Sequence, residues 1–221
     1  MIRSRTAQLI FTSIYCALGV VGIFACIGFF ALDFSADFYI FFTNLSNFLC
    51  IGVMFAELIQ TAKRKGDGYI SAVPHLKFIG VLAILLTFMV FNILLAPTRE
   101  LSRNFELSSI LFHIVLPVMY VADWFLFRER KKITWKFPLM SAAFPLAYLA
   151  FIYIRAAIHG FDATCPNLYP YFFLNLDTQG VGGVVRWCLI FLVGFMAIGY
   201  LFYAIDRFWK PRKPESPDAP R

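Results

Sequence analysis

Apolar residues run through this chain in long blocks, and polar residues gather between them. Six blocks reach the roughly 20 residues that a helix needs to cross a hydrocarbon core of about 30 Å. They are Ala7 to Leu32, Phe38 to Ala62, Ala72 to Ala96, Glu106 to Phe127, Phe137 to His159, and Gly183 to Asp206. Inside the second block the pattern breaks: Phe41 to Cys50 reads Phe-Phe-Thr-Asn-Leu-Ser-Asn-Phe-Leu-Cys. Thr43, Ser46, Asn47 and Cys50 follow i, i+3, i+4, i+7 and form a polar stripe on one helix face, with Asn44 about 100° away from it. Hydrocarbon solvates hydroxyl and amide groups poorly, so these side chains need partners on neighbouring helices or a wet cavity. In the fourth block His113, Pro117 and Tyr120 share a face in the same way. Pro117 removes a backbone bond to the carbonyl of residue 113, which predicts a kink and an opening beside the imidazole.

The pattern predicts an all-α polytopic membrane protein, with six transmembrane helices in one bundle over residues 1–210. The first block is longer than the apolar region of a signal peptide and ends in no small-residue cleavage site, so a retained helix is expected. Connections are short except Gly160 to Gly182, whose apolar part is too short to span and is expected to fold over or dip into the outer side as a lid. The tail, 211–221, mixes prolines with charges, has nothing to bury and is expected to be disordered and cytoplasmic. No internal repeat is evident, which counts against a transporter built from duplicated halves.

Composition agrees with that reading and adds an orientation. With 60% hydrophobic residues, 27 Phe and 15% charged residues, the chain has too little polar surface to cover a soluble globule of 221 residues. The net charge of +7 does not imply nucleic acid, because the basic residues flank apolar blocks, where they orient helices and meet anionic lipid heads. A cytoplasmic amino terminus puts 16 Lys and Arg inside and leaves Arg99, Arg103, Arg155 and Arg186 outside, so both termini are expected to be cytoplasmic. Cys16, Cys26, Cys50 and Cys188 lie in apolar blocks and only Cys165 in a loop, so no disulfide framework is implied.

This orientation assigns depths. At a rise of about 1.5 Å per residue, Thr43 lies roughly 8 Å below the outer boundary and Asn47 about one turn deeper, while His113 lies at about 10 Å. Asn92 and Arg155 each lie one turn before the outer end of their helices. Four helices therefore converge on one outer-leaflet layer. Ser, Thr and Asn in such positions often serve as interhelical glue worth about 0.6 kcal/mol per bond, and Arg155 is close enough to the interface to snorkel to lipid phosphate. An intramembrane histidine is a functional candidate by default. Glu57, His75, Lys77 and Asp123 form a second, inner layer expected to pair internally for structural reasons.

Thr43 and His113 are candidate catalytic residues. A threonine hydroxyl attacks only once a base takes its proton, and neutral histidine is suited to that task near neutral pH. Asn44, Asn47, Asn92 and Arg155 are candidate donors to a developing oxyanion. Asp37 and Asp177 are candidates to orient the imidazole. Six spans, a threonine near the outer start of the second, His113 followed by Pro117 in the fourth, and Tyr169 with Pro170 before the last resemble the androgen-induced protein family of integral-membrane threonine hydrolases. The chain departs from that family in surrounding the threonine with Asn44, Ser46 and Asn47, as in bacterial relatives, which implies a bacterial inner membrane. The resemblance implies hydrolysis of fatty acid esters of hydroxy fatty acids or related lipid esters, with Thr43 as nucleophile and His113 as base. It implies no metal or other cofactor. Substrate contacts are then expected from Asn44, Ser46, Asn47, Asn92, Pro117, Tyr120, Arg155 and Tyr169, and partners are membrane lipids and a lipid ester, not nucleic acid.

No His-Glu-x-x-His helix, Gly-x-Ser-x-Gly elbow or phosphate-cradling Gly-rich loop occurs. The alternative for the same polar layer is a transporter or binding protein for a lipid or small amphiphile. Haem binding is a third reading, requiring His113 and His159 as paired axial ligands.

Overall fold

A computed structural model describes residues 2–34, 36–127, 133–160 and 168–208. Cys165, the tail 211–221 and the basic residues at 128–132 lie outside the described residues. Six helices are long and apolar enough to cross a membrane: α1 (Arg5–Cys26), α2 (Phe42–Lys63), α3 (Pro74–Thr98), α4 (Leu107–Leu126), α5 (Lys136–His159) and α6 (Leu176–Phe208). Among the described residues there is no strand. The all-α polytopic fold follows directly from this set.

Helix ends follow local chemistry. Ser4 caps α1, its Oγ accepting from the Ala7 N–H. The helix stops at Cys26, six residues short of the apolar block's end at Leu32, because Gly28 takes a left-handed conformation (φ 81°) and turns the chain through a 3-10 turn, Phe29–Ala31. A Cβ at Gly28 would lie 1.8 Å from the Asp33 carbonyl oxygen, so only glycine fits. α3 starts on Pro74, where a missing N–H costs nothing. α6 begins at Leu176, seven residues before the expected Gly183. Asn175 Oδ1 accepts the N–H groups of Asp177 and Thr178 there, and Gly180 (φ 62°, ψ 170°) kinks the helix one turn later.

α1 packs on α2 and α4, α2 on α3, and α3 on α4, α5 and α6. Close approach of α1 needs small residues: a Cβ at Gly22 would lie 2.4 Å from the Phe112 ring. One apolar core gathers Tyr15, Met54, Phe78, Leu82, Phe112 and Leu116; a second, beside the start of α2, gathers Ile40, Phe42, Tyr148, Ile152, Tyr171 and Phe173. Large apolar residues such as Ile14, Phe55, Val118, Ile154 and Val193 remain exposed on the outward faces, as a lipid-facing surface requires.

The two ends of the bundle are built differently. At the end where α1 starts and α6 finishes, Lys77 pairs with Asp123, both buried, and donates to Tyr69 Oη at 2.7 Å. Buried Glu57 accepts from Tyr69 Oη (2.9 Å), Ser71 Oγ (2.5 Å) and the Ala72 N–H (3.2 Å). His75 stays exposed and lies 4.0 Å from the Phe137 ring. At the opposite end, two tyrosines of α5 tie down the segments leading into α2 and α6: Tyr148 Oη donates to the Ile40 carbonyl at 2.8 Å, and Tyr153 Oη to that of Leu174 at 3.0 Å.

Candidate functional site

Two cavities lie towards the end where α2 starts and α5 finishes. One, of 460 Å³, lies among α3, α5 and α6 and is walled by apolar residues including Leu86, Val90, Leu149, Leu189, Phe191 and Phe195. The other, of 640 Å³, is polar and carries Asn44, Ser109, His113, Arg99, Arg103 and Glu106 on its wall. Thr43, Phe91, Leu95 and Tyr171 line both, so they form the partition between an apolar and a polar chamber.

Thr43 occupies the first turn of α2, where amide N–H groups lack helical partners and the helix dipole is positive. Phe41 precedes the helix and provides no side-chain cap. Tyr171 supplies the missing acceptor: the Thr43 N–H donates to Tyr171 Oη at 3.4 Å. Burial raises the Tyr171 phenol above its ordinary value, opposed by hydrogen bonding to Thr43 and the Phe42 backbone, so the phenol keeps its proton at neutral pH.

His113 sits in a π-helical turn, Leu111–Val115, in which the Leu116 N–H reaches back five residues to the Leu111 carbonyl. Continuing that register would need an N–H at residue 117, which is Pro117. The orphaned carbonyl is therefore that of Phe112, not residue 113 as α-helical spacing predicts, and Asn47 Nδ2 donates to it at 2.9 Å. His113 Nδ1 lies 3.0 Å from the Ser109 carbonyl oxygen, which only accepts, so in the neutral ring Nδ1 carries the proton and Nε2 the lone pair. Its ring stacks on Phe91 with centroids 3.6 Å apart and 15° between planes. Phe91 opens a second π turn, Phe91–Leu95, and both turns begin six residues before a proline, Pro97 and Pro117.

Thus the structure brings Thr43, Asn44 and His113 to one cavity. Thr43 and His113 make no hydrogen bond to each other among the described residues. The remaining expected contacts lie elsewhere. Ser46 Oγ donates to the Thr43 carbonyl at 2.9 Å and bonds Thr87 Oγ1 at 2.8 Å, while Asn47 spends both amide hydrogens on the Thr43 and Phe112 carbonyls. The stripe is an interhelical seam, and Asn44, off the stripe, faces the cavity with one N–H on the Phe38 carbonyl. Asn92 is exposed and bonds its own helix at Phe88; Pro117 is buried without lining either cavity. Tyr120 is wholly buried deeper in the bundle, donating to the Lys77 carbonyl at 3.3 Å. Arg155 is held by Asp37 (3.5 Å) and the Leu168 carbonyl (3.3 Å), so it neither snorkels nor reaches the cavity.

Neither Asp37, paired with Arg155, nor Asp177, in the first turn of α6, lines the His113 cavity. Tyr169 packs near Tyr153, and its neighbours Pro170 and Tyr171 line the polar chamber in its place. His159 is exposed and lines neither cavity, so it shares no chamber with His113. Of the expected lid, residues 161–167 lie outside the described residues, whereas Tyr171, Phe173 and Leu174 are buried against the start of α2 and α5. Sequence reasoning passed over Tyr171, Phe91 and Ser109. Only Ser109 carried a spacing signal, four residues before His113.

Compared with known proteins, the chain matches no family model, no curated protein and no solved structure.

Proposed function

We propose that this chain is an intramembrane hydrolase of lipid esters, seated in a bacterial inner membrane with both termini cytoplasmic, in which Thr43 is the nucleophile and His113 the base. The observation that carries this reading is the position of Thr43 on the partition between an apolar chamber and a polar chamber that also holds His113. An ester whose acyl chain occupies the apolar chamber places its carbonyl at that partition. His113 Nε2 takes the Thr43 proton as Oγ1 attacks the carbonyl carbon. The resulting oxyanion meets the positive end of α2 and the second amide N–H of Asn44. Collapse expels the alcohol, which takes the proton from His113. Water, deprotonated by the same Nε2, then attacks the acyl-threonine and releases the acid. Contacts between a nucleophile and its base often tighten only around substrate. The resemblance to the androgen-induced family of threonine hydrolases supports the same assignment and extends it to fatty acid esters of hydroxy fatty acids as candidate substrates.

Labelling by a fluorophosphonate hydrolase probe tests this. The wild-type protein and Thr43→Ser are expected to label, Thr43→Ala not at all, and His113→Gln at a rate lower by about 10²- to 10⁴-fold. A wild-type protein that never labels, or labels away from Thr43, sinks the hydrolase. The second reading, a lipid-binding or transport protein, is favoured by the Ser109 carbonyl, and not a carboxylate, standing at His113 Nδ1 among the described residues. It predicts lipid retention unchanged by Thr43→Ala.

A further inference from the structure

Four charged side chains line the polar chamber: Arg99 and Arg103 from the α3–α4 connection, Asp33 from the α1–α2 connection, and Glu106 just before α4. All four are exposed, and none forms an ion pair among the described residues. This contrasts with Asp37 and Arg155 at the same end of the bundle, which pair with each other. Arg99 is also preorganised. Its guanidinium lies 5.7 Å from the centroid of Phe91, the ring that stacks on His113 and separates the two chambers.

We infer that the polar chamber is a site for a zwitterionic lipid head group, with a phosphate on Arg99 and Arg103 and an ammonium on Asp33 and Glu106. Two guanidiniums and two carboxylates that share a cavity without pairing complement a ligand carrying both signs. A purely anionic head would meet the two carboxylates as well as the arginines, and a neutral head would use none of the four. A lipid, not a soluble zwitterion, is the occupant, because the chamber shares Thr43, Phe91, Leu95 and Tyr171 with an apolar cavity sized for a chain. The inference goes beyond the hydrolase reading in naming a zwitterionic phospholipid ester, in place of a fatty acid ester of a hydroxy fatty acid, as the substrate class, and rests on that reading for the cleavage step only.

The test measures lipid retention by native mass spectrometry on the full chain in detergent, with Thr43→Ala as background so that turnover plays no part. The probes are phosphatidylethanolamine, phosphatidylglycerol and diacylglycerol carrying the same acyl chains, with water-soluble glycerophosphoethanolamine as competitor. Phosphatidylethanolamine is expected to be retained about tenfold better than either other lipid, a difference of about 1.4 kcal/mol. Arg99→Gln with Arg103→Gln is expected to bring both phospholipids down to the diacylglycerol level. Asp33→Asn with Glu106→Gln is expected to bring phosphatidylglycerol up to the phosphatidylethanolamine level. Unchanged thermal midpoints confirm that both variants fold.

Equal retention of the three lipids overturns the inference, as does a preference for phosphatidylglycerol or a preference that survives both double variants. Competition by glycerophosphoethanolamine at the lipid's own concentration overturns the lipid as occupant. Head-group preference without probe labelling ends the hydrolase and leaves this site standing; labelling without preference does the reverse.

Discussion

Both ends of the bundle hold buried or cavity-lining polar residues and treat them in opposite ways. At the end where α1 starts and α6 finishes, Glu57, Tyr69, Lys77 and Asp123 close on one another, and every charge among these residues has a partner. At the other end, Thr43, Asn44, His113, Arg99 and Arg103 line a cavity with reactive or charged atoms left open. A closed network makes the bundle rigid. An open one leaves atoms free to meet a ligand. The difference teaches that polarity inside a membrane span marks a position as constrained, and that only the partner list separates scaffold from site.

Breaking the closed end gives the largest expected loss. Lys77→Ala or Asp123→Ala strands a buried charge and is expected to cost about 3 to 5 kcal/mol, read as a fall in the denaturation midpoint in detergent. Lys77→Met with Asp123→Leu together should recover most of that loss. If the single variants melt like wild type, the closed network carries no weight.

Asn47→Ala is expected to cost about 1 to 3 kcal/mol, because it leaves the Phe112 carbonyl buried without a donor at the π turn. A His113 ring that loses its fixed position should then show a changed histidine resonance by NMR, with Ser46→Ala as a milder control.

Alkaline pH probes the closed end without mutation. Burial is the main cause that raises Tyr69 above its ordinary value of 10.0, and neighbouring Lys77 opposes it. The folded state thus keeps a phenolic proton that the unfolded chain gives up. Stability tied to Tyr69 is fully present below about pH 10 and is lost as pH rises beyond it. Denaturation midpoints measured from pH 9 to pH 11 should bend downward, and Tyr69→Phe should flatten the bend.

The open end should show the smallest effect on stability. Arg103→Gln is expected to shift it by less than about 0.5 kcal/mol, since the side chain is exposed and forms no ion pair among the described residues. A large loss there would make Arg103 scaffold and erase the contrast between the ends.

Much of this was legible from residue order alone. Blocks of apolar residues long enough to span must be helical, because hydrocarbon offers backbone amides no other partner, and so α2, α4 and α5 lie close to their expected limits. Rise per residue put Thr43 and His113 in one layer, and both line one cavity. The missed helix ends had local causes, a left-handed Gly28 and an Asn175 cap, each decided by dihedral angles and single hydrogen bonds that hydropathy does not register.

What residue order did not contain is azimuth and partnership. Spacing put Ser46 and Asn47 with Thr43 on one stripe, but the packing of α3 and α4 turned that stripe into a seam and left Asn44 for the cavity. Tyr171 meets Thr43 across 128 residues of chain, and Asp37 meets Arg155 across the bundle. The sequence by itself determined six spans and the layer in which polar groups lie, since both depend on length and hydropathy along one helix. Tertiary structure decided which of those groups are satisfied and which stay open, because a hydrogen-bond partner on another helix is a property of packing.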